Sequence, residues 1–408
     1  MAGASSSASK LPPPSTGKLL TVLSIDGGGI RGLIPAVALQ FLEEELQRIE
    51  GDKSVRIAEY FDVISGTSTG GLIAAMLTAP NDDKINNRPK YTAERITNFY
   101  RDEGQQIFPP NTPDPPIWKI GPKHDGEYLH SRLKQELGSI RLAHAFTKVV
   151  IPTFDIMRIS PTIFSSYKVE QAQYKYLNAL LSDICIATSA APTILPAYHF
   201  EVETDNTLTE FDMIDGGLSA GNPTLVALSE IGQERDKNPE LYPMMASSDD
   251  YSNVLVVSLG CGVQAASHRP GFSATTVNGW TLTQWARLLN GRRPLTEFSY
   301  DGAMDTMDYY IFSVFKAHNA QNNYLRVQAD NLTPQMAIMD NTDSRNLENL
   351  VICANQMLDA QVKRVNPVTF ELEPIGDEKN TYRKALTRVA ETLIAEKKAR
   401  IGVFASKN

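Results

Sequence analysis

Asp26-Gly27-Gly28-Gly29-Ile30-Arg31-Gly32 and, further along, Gly66-Thr67-Ser68-Thr69-Gly70 are the two stretches on which the reading of this 408-residue chain turns. Each follows an apolar run: Leu19-Leu20-Thr21-Val22-Leu23-Ser24-Ile25 before the first, Phe61-Asp62-Val63-Ile64 before the second. The second fits the G-x-S-x-G turn, whose small flanking residues let a strand bend sharply into a helix and hold the serine hydroxyl exposed. Leu72-Ile73-Ala74-Ala75-Met76-Leu77 supplies that helix. Ser68 therefore stands at a helix N-terminus, where free N–H groups favour developing negative charge.

The first stretch also fits the dinucleotide pattern G-x-G-x-x-G through Gly27, Gly29 and Gly32. That reading needs an acid at the end of a second strand. Glu43, Glu44 and Glu45 instead fall inside an amphipathic helix expected from Leu33 to Ile49. The physics is shared in either case, because exposed glycine N–H groups hold a phosphate or the oxyanion of an acyl transfer. A third stretch favours the oxyanion: Phe211-Asp212-Met213-Ile214-Asp215-Gly216-Gly217, a short strand ending in an acid and two glycines.

These three stretches, in this order, resemble the patatin family of lipid acyl hydrolases, related to cytosolic phospholipase A2, whose signature is D-G-G-G-x-R-G, G-x-S-x-G and D-G-[AG]. The resemblance extends to Thr188-Ser189-Ala190-Ala191-Pro192-Thr193, Pro196-Ala197-Tyr198-His199-Phe200, Gly221-Asn222-Pro223-Thr224 and Ser258-Leu259-Gly260-Cys261-Gly262. It is closest to plant members. It implies a three-layer α/β/α sandwich with a mostly parallel central sheet, and a Ser-Asp dyad in place of a triad. Ser68 would carry the acyl group, Asp215 would be the direct base, and Gly27, Gly28 and Gly29 would form the oxyanion hole. Gly32, Gly66, Gly70, Gly216 and Gly217 would shape the supporting loops, while Arg31 either orients its loop or meets a lipid phosphate. The implied substrates are phospholipids or galactolipids, reached at a peripheral membrane or micelle surface, with no cofactor and no metal. Small or neutral esters, acyl transfer to an alcohol, and a storage role with weak activity remain open beside them.

A carboxylate with an unperturbed pKa near ~4 is a poor base for a serine hydroxyl, so such a dyad calls for desolvation and a strong oxyanion hole. An alternative triad in the order Ser, Asp, His could use His268 or His318. His268 lies in a Ser/Pro/Gly-rich stretch and His318 ends a helix-like segment, so both read as structural. His124, His130 and His144 precede the acid, His199 reads as structural or pocket-lining, and the six histidines show no metal-ligand spacing.

With 42% hydrophobic and 21% charged residues, the chain can bury a large core. Ser68 and Asp215, 147 positions apart, must converge. One catalytic domain over residues 19–408 follows, with a motif core at about 19–262 and a helical part at about 280–400, after a disordered tail, 1–18. The net charge of −8 argues against nucleic acid and against steady attachment to anionic membranes. Lys397, Lys398 and Arg400 read as a solvated helix face. Cys185, Cys261 and Cys353 sit singly in apolar runs, as buried thiols of a reducing compartment do. The N-terminus lacks an apolar signal region and no run reaches the ~18 apolar residues of a membrane span, so a cytoplasmic location is expected.

Strands are expected at 148–154 and 253–258, and helices near 92–104, 126–137, 171–183, 223–233, 300–318, 345–363 and 380–399. Two irregular stretches could shape a substrate entrance: Phe108–Gly126, proline-rich with Trp118, and His268–Gly279. Trp280, Trp285, Leu288 and Leu289 follow on an expected helix. The two tryptophans lie about 140° apart around it, which reads as packing rather than one membrane-facing stripe. Tyr300, Tyr309 and Tyr310 read as core edge.

Overall fold

The structure, a computed structural model, describes residues 10–81, 88–116, 121–204, 207–268, 271–288 and 292–407. Trp118, Leu289 and residues 1–9 lie outside them. The apolar runs before the glycine turns form strands β1 (Leu20–Ile25) and β2 (Val63–Gly66), every residue of which is buried. β3 (Lys148–Asp155), β4 (Ser160–Ser165), β5 (Tyr198–Thr204), β6 (Thr207–Asp215), β7 (Val254–Leu259) and β8 (Tyr324–Val327) complete the sheet, in the order β5-β6-β3-β2-β1-β7-β8 with β4 also on β3. β1, β2, β3, β7 and β8 run parallel; β4, β5 and β6 are antiparallel to their neighbours.

Continuous apolar strands are what a sheet covered on both faces requires. Leu23, Ile25, Ile64, Val257 and Leu259 pack on one face with α1 (Leu33–Glu50), α2 (Thr69–Thr78), α3 (Ala93–Ile107), α4 (Glu127–Leu137) and α5 (Leu181–Ser189). Leu20, Val22, Val63, Val254 and Val256 pack on the other with α6 (Thr224–Lys237) and α7 (Pro294–Ala317). α8 (Ser344–Asp359) and α9 (Tyr382–Lys407) join the first face. The result is the expected three-layer α/β sandwich.

One detail of register brings the distant motifs together. β4 pairs with Val150–Asp155 along one edge of β3; on the opposite edge Ser65 of β2 lies beside Val150, and Asp215 of β6 lies beside Thr153. β2 and β6 therefore share that edge end to end, running in opposite directions. Their C-terminal ends meet, which delivers Ser68 and Asp215 to the same place.

Three expectations need correction. The tail assigned to residues 1–18 is packed from Pro12 onward: Pro14–Thr16 form a helical turn, Arg400 donates to the Pro12 carbonyl, and the Lys18 N–H donates to Glu396. Arg400 is not solvated but fully buried, holding both carboxylate oxygens of Asp62 at 2.7 and 2.9 Å. A polar helix face packed over a strand terminus looks, in sequence, like one facing water. Last, the helix expected at 171–183 divides into a 3₁₀ segment, Ala172–Leu177, which is broken by non-helical dihedrals at Tyr174 and buries only Leu177, and α5, Leu181–Ser189, which is buried at every position but Asp183.

Candidate active site

Ser68 sits on the turn from β2 to α2 with φ 54° and ψ −126°, a conformation an L-residue adopts only when its surroundings enforce it. Gly70 is what the turn requires: a Cβ there would overlap the Ile25 carbonyl oxygen. The turn is held from three sides. The Thr67 hydroxyl donates to the Ala220 carbonyl at 2.6 Å, and the Ser68 N–H to the Thr188 hydroxyl at 2.9 Å, which in turn donates to the Pro152 carbonyl. The Ser68 carbonyl accepts from Gly71 at 2.8 Å.

The Ser68 hydroxyl donates to Asp215 Oδ2 at 2.7 Å. The other carboxylate oxygen accepts the Gly217 N–H, also at 2.7 Å, so the glycines after the acid orient it. Burial pushes the Asp215 carboxyl up to about 6; the bonds from Ser68 and Gly217 pull the other way and do not win. A buried carboxylate with an elevated pKa is a better match for a proton-transfer role near neutrality than a solvated one. The histidines stand elsewhere. His124 pairs with Asp340, His130 meets the Tyr198 ring, His144 accepts from Arg141, His199 pairs with Asp212, His268 is exposed, and His318 lies against Tyr251. Among the described residues no cluster of three His, Cys, Asp or Glu could hold a metal.

The triple-glycine loop follows β1. Gly27 already donates its N–H to the Gly221 carbonyl at 3.0 Å, whereas the N–H groups of Gly28 and Gly29 have no hydrogen-bond acceptor among the described residues. Gly29 has φ +61°, and a Cβ there would overlap the Met339 carbonyl oxygen, so this position is closed to other residues on two counts. Arg31 is buried and donates to the Gly28 and Gly262 carbonyls at 3.2 Å each, bracing the loop. Tyr300 is no core-edge residue: its hydroxyl donates to the Gly27 carbonyl at 2.7 Å, and its ring lies over Gly217 and Gly221.

Behind the loop lies a charged network that sequence reasoning missed. Arg326 of β8 reaches across Ser258 of β7, its register partner, donating to the Ser258 hydroxyl at 3.0 Å, to Asp26 Oδ2 at 2.6 Å and to Asp308 of α7 at 3.2 Å. Asn222, just past the Asp215 turn, donates to Asp308 at 2.8 Å. The triple-glycine loop, the turn that carries Asp215 and α7 are thereby fastened to one guanidinium. Burial pushes Asp26 up to about 7 against the pull of Arg326. A lone arginine inside the apolar run Tyr324-Leu325-Arg326-Val327 was the legible signal for it; nothing local marks Asp308.

An α/β sandwich with a serine on its strand-to-helix turn, facing a buried aspartate, defines a hydrolase-like site, and comparison with known proteins fixes the family. Residues 23–228 match the patatin-like phospholipase family. The chain is 43% identical to patatin-like protein 2 of Arabidopsis thaliana, covering 96% of this chain and 95% of that one, and 41% identical to patatin-like protein 2 of rice, covering 98% and 96%. Patatin group J-1 of potato is 38% identical over 94% of this chain and 92% of its own. The chain belongs to the patatin-like phospholipase family, and with it to the lipid acyl hydrolases. Among solved structures, VipD of Legionella pneumophila superposes at a TM-score of 0.28 with 10% identity, covering 82% of this chain and 67% of its own, too distant to carry argument.

Proposed function

We propose that this chain releases fatty acids from phospholipids or galactolipids by two acyl transfers through a Ser68 ester, with Asp215 as the direct general base. The observation that carries this reading is the 2.7 Å bond from the Ser68 hydroxyl to Asp215 Oδ2, with no histidine at either group among the described contacts. In the first transfer Ser68 Oγ bonds to the substrate carbonyl carbon as its proton passes to Asp215. The negative charge moves onto the carbonyl oxygen, where the N–H groups of Gly28 and Gly29 receive it; one such donor is worth on the order of 3 kcal/mol of transition-state stabilisation. Collapse breaks the ester C–O bond, and the departing lipid alcohol takes the proton from Asp215. In the second transfer water attacks the acyl-serine, Asp215 accepting its proton, and fatty acid leaves with Ser68 restored.

Fatty-acid release from a panel of phospholipid, galactolipid, triacylglycerol and short-chain esters, compared between the native protein and Ser68→Ala, tests the reading. Release is expected from the native protein alone, with long-chain polar lipids preferred. Equal release from both proteins would remove Ser68 from the chemistry. A preference for short soluble esters would instead favour the small-ester reading.

A further inference from the structure

The two N–H groups proposed to receive the oxyanion share a feature on the far side of their peptides. The Gly28 N–H belongs to the peptide whose carbonyl is that of Gly27, and this carbonyl accepts the Tyr300 hydroxyl at 2.7 Å. The Gly29 N–H belongs to the next peptide, whose carbonyl, that of Gly28, accepts Arg31 Nε at 3.2 Å. A trans peptide is planar, with its N–H and C=O pointing to opposite sides, so a donor held against the carbonyl fixes the direction in which the N–H points. The same bond draws electron density through the peptide and makes its N–H a stronger donor, as in any chain of hydrogen bonds. Arg31 stands inside the glycine motif itself, whereas Tyr300 comes from α7, 273 residues away from the carbonyl it holds.

The face of α7 that carries Tyr300 is turned to the site along two turns. Tyr300, Met304 and Asp308 follow at i, i+4 and i+8, the spacing of one helix face, and each meets a different part of the site. The Tyr300 ring lies over Gly217, whose N–H holds Asp215. The Met304 sulfur fills the space where a side chain at Gly221 would stand, and Gly221 accepts the Gly27 N–H at 3.0 Å. Asp308 binds Arg326 and Asn222. Gly27 is thus held by both of its polar groups, the N–H by Gly221 and the carbonyl by Tyr300. A Cβ on Gly27 would come 3.0 Å from the Tyr300 oxygen and 3.1 Å from Ser68 Cβ, so the phenol and the nucleophile flank the same side of this glycine. A tyrosine hydroxyl has one proton to donate. That of Tyr300 is committed to the Gly27 carbonyl, so the phenol reaches the reaction through the peptide and not by touching the oxyanion. Desolvation holds the Tyr300 phenol well above the ordinary tyrosine range, and it stays a donor through neutral pH.

We propose that Tyr300 is a positioning residue of the hydrolytic reaction, its hydroxyl aiming and polarising the Gly28 N–H toward the substrate oxyanion. The proposal rests on the Ser68–Asp215 hydrolase reading, and its test separates the two. Tyr300→Phe removes the hydroxyl and keeps the ring over Gly217 and Gly221. On a soluble short-chain ester it lowers kcat about tenfold and leaves KM within about twofold of native. That is less than the loss of about 10²–10³-fold typical when an oxyanion donor is removed outright, because the Gly28 N–H remains but is no longer aimed. A trifluoromethyl ketone reads the oxyanion directly: Ser68 Oγ bonds to its carbonyl carbon, the serine proton passes to Asp215, and the carbonyl oxygen takes the negative charge. Its affinity falls about tenfold in Tyr300→Phe, in step with kcat, while the matching secondary alcohol, which forms no adduct, binds both proteins alike. Tyr310→Phe, on the same helix and 53% exposed, leaves every one of these values at native. Native kcat in Tyr300→Phe, or ketone and alcohol weakened alike, would overturn the proposal and make Tyr300 a packing residue. Either result beside an inactive Ser68→Ala protein would leave the hydrolase reading standing; equal turnover by native protein and Ser68→Ala would overturn both.

Discussion

β1 and β2 are flanked at both ends by a buried arginine, and the two ends are built differently. At the amino end, Asp62 accepts four hydrogen bonds, from the Thr21 N–H and hydroxyl and from both terminal nitrogens of Arg400. Arg400 also binds Glu396 and the carbonyls of Pro12 and Leu19, tying both chain termini to the sheet. At the carboxyl end, Asp26 has one oxygen on Arg326 and the other without a partner among the described residues. Beside it stand Ser68 at positive φ and two glycine N–H groups without acceptors among the described residues. Polar satisfaction stabilises the first end; the second keeps strain and free donors that a packed structure normally removes. Free backbone donors beside the serine are what the proposed oxyanion hole requires.

The sharpest way to break this contrast is Asp215→Asn. It should lower kcat by about 10³-fold or more, since the Ser68 proton then has no acceptor. Because the folded-state pKa of Asp215 lies above its unfolded value, the folded protein holds that proton more tightly, so the group favours folding at low pH and opposes it above about 6. Melting at neutral pH should thus be unchanged or raised by the substitution. A fall in melting temperature with kcat intact would make Asp215 a structural residue.

Next come the two arginines. Arg400→Met strands Asp62 and Glu396 in the interior and should cost about 3–5 kcal/mol of stability, read by denaturant unfolding, with kcat of the folded fraction held. Arg326→Met should destabilise as well, but should also lower kcat by about tenfold or more with KM little changed, because the loop carrying Gly28 and Gly29 loses its anchor. If both variants lose stability alone, Arg326 has no positioning role.

The sequence showed one of these ends and hid the other. Ser68, Asp215 and the glycine loop were legible because each chemistry-bearing residue lies in a local pattern that a sharp turn or close backbone approach demands. The strands β1, β2, β3 and β7 were legible as continuous apolar runs. β4, β5 and β8, shorter or edge-lying with mixed polarity, carried no such pattern. Arg400 escaped because its pair with Asp62 is written across 338 positions and no local rule separates a paired arginine from a solvated one on a polar helix face; the apolar run around Arg326 marked it, but not its partner Asp26, 300 positions away. Tyr300 escaped for the same reason: its partner is the Gly27 carbonyl, 273 residues away.

A smaller effect sharpens the role of burial at the carboxyl end. Asp215 must be ionised to accept the Ser68 proton, and burial has moved its titration up to about 6. Log kcat/KM should be flat above that pH and fall about tenfold per unit below it. A limb near ~4 instead would mean that solvent reaches the carboxylate and that desolvation does not set the base.

The smallest expected effect discriminates most between mechanisms. His318 and His268 have the chain order of a triad histidine, but His318 packs on Tyr251 at 6.0 Å and lies 3.9 Å from Asp250, at the C-terminal end of α7, while His268 is exposed on a helical turn. Asp215 already occupies the position a triad histidine would take, directly against the serine hydroxyl, so no space for a relay exists between them. Ala substitutions of both histidines should change kcat/KM by less than about twofold, as surface or packing positions do. A loss as deep as that of Asp215→Asn would require a histidine to reach Ser68, and with it a different arrangement of the whole carboxyl end.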